Sequence, residues 1–81
     1  MSPLNGFTTT KKILEINPAI KIIGISVNNE PKYAIKMIEA GAMGYLTKTS
    51  PVEEIMQGIM KVHHGEMYIC KEIRNNILLR P

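Results

Sequence analysis

The sequence predicts an α/β fold, a parallel sheet with helices on both faces, in the order helix, strand, helix, strand, helix. Two short apolar runs carry the first part of that prediction, IKIIGIS at 20–26 and AMGYLTK at 42–48. Runs of this kind suit strands covered on both faces. The stretches beside them place apolar residues at helical spacing, and Pro and Gly mark the joints at Pro18, Pro31, Gly41, Pro51 and Gly65. Alternating strands and helices imply right-handed crossovers and parallel pairing. Two strands are few where a doubly wound sheet has about five. The sequence is therefore expected to be the later part of a larger α/β unit.

The first helix is expected over Gly6 to Ile16, where Phe7, Thr10 and Leu14 share a stripe beside Ile13. Lys11, Lys12 and Glu15 face away, a solvated surface. Asn17-Pro18 stops the helix, because a residue before proline avoids the helical region. After the strand at 20–26 comes a polar loop, Asn28-Asn29-Glu30. Pro31 fits the first turn of the second helix, where its missing N–H has no partner to lose. Ala34, Met37 and Ile38 form the inner face, and Gly41 ends the helix. After the second strand, Ser50-Pro51-Val52-Glu53 predicts a capping box: Ser50 caps and Glu53 reaches back. Val52, Ile55, Met56, Ile59 and Met60 then recur at helical spacing up to Gly65, the clearest amphipathic segment in the chain. Met37, Met56 and Met60 are expected on inner faces as core packing. The sequence divides at 1–65, with 66–81 as a tail that starts extended and forms a short helix around Glu72 to Leu79.

Composition narrows the function classes. The 81 residues carry 44% hydrophobic and 21% charged side chains, ordinary for a globular chain. All seven acids are glutamate. With no aspartate, aspartyl-phosphate chemistry and most calcium loops have no residue to use. The net charge of +3 comes from scattered lysines and arginines, which does not favour direct nucleic-acid binding. No apolar run approaches the roughly 20 residues a membrane helix needs, and no signal peptide is visible. Cys70 alone forms no internal disulfide and fits a reducing, cytoplasmic setting. Its expected place is a half-buried packing position. His63 and His64 project about 100° apart on a helix and do not readily share one metal ion.

Ligands of open parallel sheets gather at the carboxyl ends of the strands. Ser26 closes the first strand and Lys48 the second. A hydroxyl and a compact cation at one mouth make a plausible anion-binding pair. The plainer reading makes Ser26 a turn residue and Lys48 a solvated cation.

These residues also carry a family resemblance. Ala40-Gly41-Ala42-Met43-Gly44-Tyr45-Leu46-Thr47-Lys48 is similar to the Ala-Gly-Ala-x-Gly-Tyr-Leu-x-Lys signature of bacterial response-regulator receiver domains. Met1-Ser2-Pro3-Leu4-Asn5-Gly6 resembles their Met-Pro-x-Met-Asp-Gly loop, with the proline displaced by one position. Thr49-Ser50-Pro51, Glu53-Glu54 and the stretch from Gly65 to Tyr68 are similar to the subgroup that precedes a helix-turn-helix DNA-binding domain. The resemblance spans residues 1 to about 70. It implies a partial flavodoxin-like sheet, two-component phosphorelay signalling, a histidine kinase partner and regulation of transcription. It places Ser26 and Lys48 as phosphoryl contacts and Tyr45 as the switch aromatic. Tyr45 also suits a half-buried strand position by composition alone.

The departures from that pattern shape the functional expectation. The family's phosphoacceptor aspartate, its acidic metal pair and its output domain have no counterpart in these residues, so no phosphoacceptor, no metal ligand and no catalytic residue is assigned. The magnesium of the intact family loses its ligands here. The sequence is expected to be a truncated receiver domain without phosphorylation competence, an interaction module and not an enzyme. An apolar strand at 20–26 with an open edge is a template for pairing with another chain, so self-association through it is also expected. A different reading is an α/β fragment whose only property is oligomerisation. A third is a small transferase-like enzyme using Ser26 and Lys48, for which the sequence shows no general base.

Overall fold

The computed structural model describes residues 6–78 of the chain. The loop at 1–5 and the expected helix end at Leu79 lie outside the described residues. The elements are α1 (Gly6–Ile16), β1 (Ile23–Ser26), α2 (Pro31–Glu39), β2 (Gly44–Thr47), α3 (Val52–His63), β3 (Tyr68–Ile69) and α4 (Lys71–Leu78). The strands form one parallel sheet in the order β1-β2-β3. The five expected elements are present in the expected order. The stretch expected as a tail adds a third strand and a fourth helix, which starts at Lys71 rather than Glu72.

Strand β2 is the centre of the molecule and all four of its residues are buried. Side chains alternate across a strand. Gly44 and Leu46 face α3: a methyl on Gly44 would stand 3.0 Å from Val62, and one on Gly58 of α3 would stand 3.4 Å from Leu46. Tyr45 and Thr47 face the opposite side, toward Met37 of α2 and Glu72 of α4. Helices therefore cover both faces of β2, as the apolar run predicts. The core gathers Ala34, Met37, Tyr45, Leu46, Val62, Tyr68, Cys70 and Ile73 around it. Helix α1 joins through α2, where the buried Thr10 hydroxyl meets the Met37 sulfur at 3.9 Å.

Strand β1 is shorter than the expected run at 20–26, and the expected cover on both faces is incomplete. Among the described residues its one partner is β2, in the register Ser26 opposite Thr47. It stands at the sheet edge, Ile25 is 52% exposed, and Val27 just beyond is 79% exposed.

Helix α3 corrects two further expectations. Its buried line runs through Gly58 and Val62, with Ile55 half-buried. Gly58 has no side chain, so the Tyr68 ring packs where a methyl would lie only 2.9 Å away. That close approach turns the neighbouring apolar line outward: Met56 is 62% and Met60 52% exposed, with Val52 and Ile59 exposed beside them. The expected capping box does not form, since no side chain caps α3. Ser50 Oγ instead lies 3.0 Å from Thr47 Oγ1. A cluster of hydroxyls at the end of β2 competes successfully for the capping side chain.

Candidate functional site

The parallel pairing brings the carboxyl ends of β1 and β2 together. The Lys48 N–H donates to the Ser26 carbonyl at 2.8 Å, so the two expected contact residues are fastened through their backbones at one mouth of the sheet. The Ser26 hydroxyl accepts the Asn28 N–H at 3.0 Å, and Asn28 Oδ1 accepts the Glu30 N–H at 2.8 Å. These side-chain-to-backbone bonds shape the β1–α2 loop without regular structure. Ser26 is half-buried and Lys48 exposed. The turn role expected for Ser26 is therefore present in the geometry alongside its place at the mouth.

Tyr45 is buried rather than half-buried, at 3% exposure. Its ring lies over β1, where a methyl on Gly24 would meet it at 2.9 Å. A groove of about 660 Å³ runs beside it, lined by Phe7, Ile13, Ile22 and Met37 among others, with Thr9, Thr10, Ser26 and Asn28 among its polar members.

Glu72 is a member of this mouth that the sequence did not point to. From the first turn of α4 it accepts hydrogen bonds from Thr47 Oγ1 at 3.1 Å and Thr49 Oγ1 at 3.2 Å, the two residues that flank Lys48. Its second oxygen accepts from Asn29 Nδ2 at 2.9 Å. The Asn29 amide, followed by the Thr47 and Thr49 hydroxyls, holds the Glu72 carboxyl below the usual carboxylate range. Spacing gives no warning of this contact, because 23 to 43 residues separate the partners.

A second carboxylate fastens the start of α4. Glu54 Oε2 accepts the Tyr68 hydroxyl at 2.6 Å and the Lys71 N–H at 2.7 Å. Helix α4 follows Cys70, which has no oxygen to cap it, so Glu54 supplies an acceptor for one of the unpaired N–H groups of its first turn. Burial pulls the Glu54 carboxyl up, but the Tyr68 and Lys71 hydrogen bonds and the Arg74 and Lys71 charges outweigh it, and the net shift is downward. Burial and then the Glu54 hydrogen bond push the Tyr68 hydroxyl up.

The remaining candidates stand apart from the mouth. His63 and His64 are exposed, with ring centroids 5.3 Å apart and inclined at 63°. Among the described residues no three His, Cys or Glu side chains are grouped closely enough to hold a metal ion. Cys70 is fully buried, and its N–H donates to the Tyr45 carbonyl. No helix among the described residues is long and apolar enough to cross a membrane.

Known proteins resemble this chain in sequence and fold. Residues 1–60 match the family model of the response regulator receiver domain. The response regulator GacA of Pseudomonas aeruginosa is 34% identical over 80 residues, 99% of this chain and 37% of the relative. The response regulator UvrY of Escherichia coli is 33% identical over 79 residues, 98% of this chain and 36% of the relative. The chain thus spans a little over a third of these curated relatives. A crystal structure of a LuxR-family two-component response regulator from Aurantimonas sp. superposes with a TM-score of 0.89 at 28% identity. That match covers 96% of this chain and 56% of the other. The isolated receiver domain of RcsB from Salmonella enterica shares the fold at a TM-score of 0.80 and 17% identity. With a family model covering most of its length and two relatives above 30% identity, the chain belongs to the response-regulator receiver family, with a flavodoxin-like α/β fold.

Proposed function

We propose that these 81 residues work as a two-component signalling module that presents an anion-contact crevice, Ser26 with Lys48, but does not itself accept a phosphoryl group. One observation carries the reading: the sequence holds no aspartate, and Glu72, which reaches the strand ends, is committed to the hydroxyls of Thr47 and Thr49 and the amide of Asn29. Receiver domains use magnesium, which takes hard oxygen ligands and keeps near-ideal octahedral geometry. A serine hydroxyl, a lysine and a carboxylate already bound to three donors do not make such a donor set, so no step here runs through the metal. In this reading the module acts in the cytoplasm as an interaction partner, not an enzyme. A histidine kinase is its upstream partner in the complete system, and transcription is regulated through a separate output domain. Residues 66–81 serve as the connection toward that domain. Tyr45 reports occupancy of the crevice through its packing against β1.

Incubation with acetyl phosphate or beryllofluoride and magnesium tests it. The expected result is an unchanged intact mass, with Tyr45 ring signals that move no further than inorganic phosphate alone moves them. A stable phospho-adduct would end this reading.

The open side of β1 favours a second property, self-association through residues 20–26. An apolar edge strand offers unpaired N–H and C=O groups to another chain, and Ile25 and Val27 stand exposed beside it. Light scattering at micromolar concentration is expected to give a dimer or larger species, and Ile25→Lys, which places a charge on the edge, to reduce it. A monodisperse monomer of the unaltered chain rules the property out.

A further inference from the structure

The geometry points to Glu72 as a positioning residue that couples the turn carrying Lys48 to the seating of helix α4, so that order at the crevice and order in α4 rise and fall together. The coupling deepens the anion-contact reading of Ser26 and Lys48, and in its crevice half rests on it.

Both loops at the mouth converge on this one side chain. Thr47 and Thr49 stand on either side of Lys48, and both hydroxyls donate to Glu72 Oε1. Asn29 belongs to the loop that follows Ser26, and its amide donates to Oε2. One turn further along α4, Asn76 Nδ2 donates to the Asn29 carbonyl at 3.0 Å. Residues four apart share a helix face, so α4 lays a two-point polar contact on the β1–α2 loop and a third point on the β2–α3 turn. Thr47 is almost fully buried, and its hydroxyl sits in a cluster with Thr49 Oγ1 at 3.2 Å and Ser50 Oγ at 3.0 Å that Glu72 Oε1 ties to α4. Withdrawal of Glu72 therefore leaves that cluster to rearrange within the turn and cuts its side-chain link to the helix.

The rest of α4 is anchored elsewhere. Glu54 holds the Lys71 N–H, Arg74 Nε donates to the Ile69 carbonyl at 2.8 Å, and Ile73 is in the core. Loss of the Glu72 contacts thus loosens α4 locally and leaves the domain folded. Coupling between two sites is reciprocal. An anion that reorganises the Lys48 turn alters the donors available to Glu72, and a partner that lifts α4 alters the turn.

Hydrogen exchange and NMR on the 81-residue chain test this with Glu72→Gln, which keeps the shape and removes the charge. Hydrogen bonds to charged groups are the stronger class, so amides at 71–76 and 47–50 are expected to exchange roughly tenfold faster in the variant. Those of α3 at 58–62 are expected to keep their rates. Thr47→Val, which removes a donor from the turn instead, is expected to speed exchange at 71–76 in the same direction. Equal rates at both segments in both variants overturn the coupling.

A titration with inorganic phosphate separates the two layers of the argument. In the unaltered chain it is expected to shift the amides of Ser26 and Lys48 together with those of 71–76. In Glu72→Gln the crevice shifts persist and the α4 shifts vanish. Crevice shifts without α4 shifts in the unaltered chain overturn the coupling and spare the anion site. No shift at Ser26 and Lys48 rejects the anion site, and the exchange rates alone then decide the link between turn and helix.

Discussion

Replacing Ile73 by alanine is expected to destabilise the chain by about 2–5 kcal/mol, the range for truncating a large aliphatic side chain in a packed core. Ile73 is 0% exposed and belongs to the cluster of Leu46, Tyr68 and Cys70. The loss is large against the total, since a domain of this size is stable by only about 4–12 kcal/mol. Small domains lose about 1 kcal/mol per molar urea, so the urea midpoint should fall by about 2 M or more. Ile77 supplies the control. It lies one turn further along α4 at 37% exposure, and Ile77→Ala should cost less, about 1–3 kcal/mol, in proportion to the smaller area it buries. Equal midpoints for the two variants would mean that α4 hangs on the domain as a connector rather than filling its core.

Ile73 also shows where sequence reasoning stops. The first three helices and the first two strands are legible because prolines and glycines bound them and their apolar residues repeat at the right period. Strand β3 has two residues, too few for any periodicity to register, and its existence depends on Tyr68 finding Gly44 across the sheet. The apolar stripe of α3 is legible as a stripe. Which edge of it faces inward is decided by Gly58, the place where Tyr68 and Leu46 come closest, and a hydrophobic pattern gives a glycine no weight. Ser50 carries the right local signal for a cap and loses it to a hydroxyl cluster that exists only after folding.

The mouth of the sheet divides the same way. Ser26 and Lys48 are readable because parallel strands put their carboxyl ends together, a rule that needs only strand boundaries. Glu72 is unreadable because its partners come from two loops far back in the chain. The Glu54 contact with Tyr68 and the Lys71 N–H is hidden for the same reason, a tertiary carboxylate serving where a local cap is absent.

Gly41→Ala is expected to rank with Ile73→Ala, through the backbone rather than the core. Helix α2 ends with the Gly41 N–H bound to the Ile38 carbonyl at 2.9 Å and the Ala42 N–H to the Met37 carbonyl at 3.0 Å. That paired closure is the Schellman motif, and it requires a positive φ at the residue after the cap. Gly41 has φ +112°, a region costing other residues about 1–3 kcal/mol. A methyl there also collides with the Leu14 side chain of α1. In a domain of this size about 1 kcal/mol moves the melting temperature by roughly 4–8 °C, so a fall of about 4–24 °C is expected. Helix α3 closes in the same way, with the Gly65 N–H on the Val62 carbonyl and the Glu66 N–H on the Lys61 carbonyl, both at 2.9 Å. Gly65 has φ +87° and nothing within 4 Å of the added methyl. Gly65→Ala therefore measures the backbone strain alone, and the difference between the two variants measures the Leu14 contact. Leu14 meets the methyl with the far end of a flexible side chain and can swing aside, so the difference should be the smaller part. A Gly41→Ala melt unchanged from the parent would mean that α2 does not close through a left-handed residue, and that the approach of the chain into β2, with Tyr45 and Lys48 along it, is set by something else.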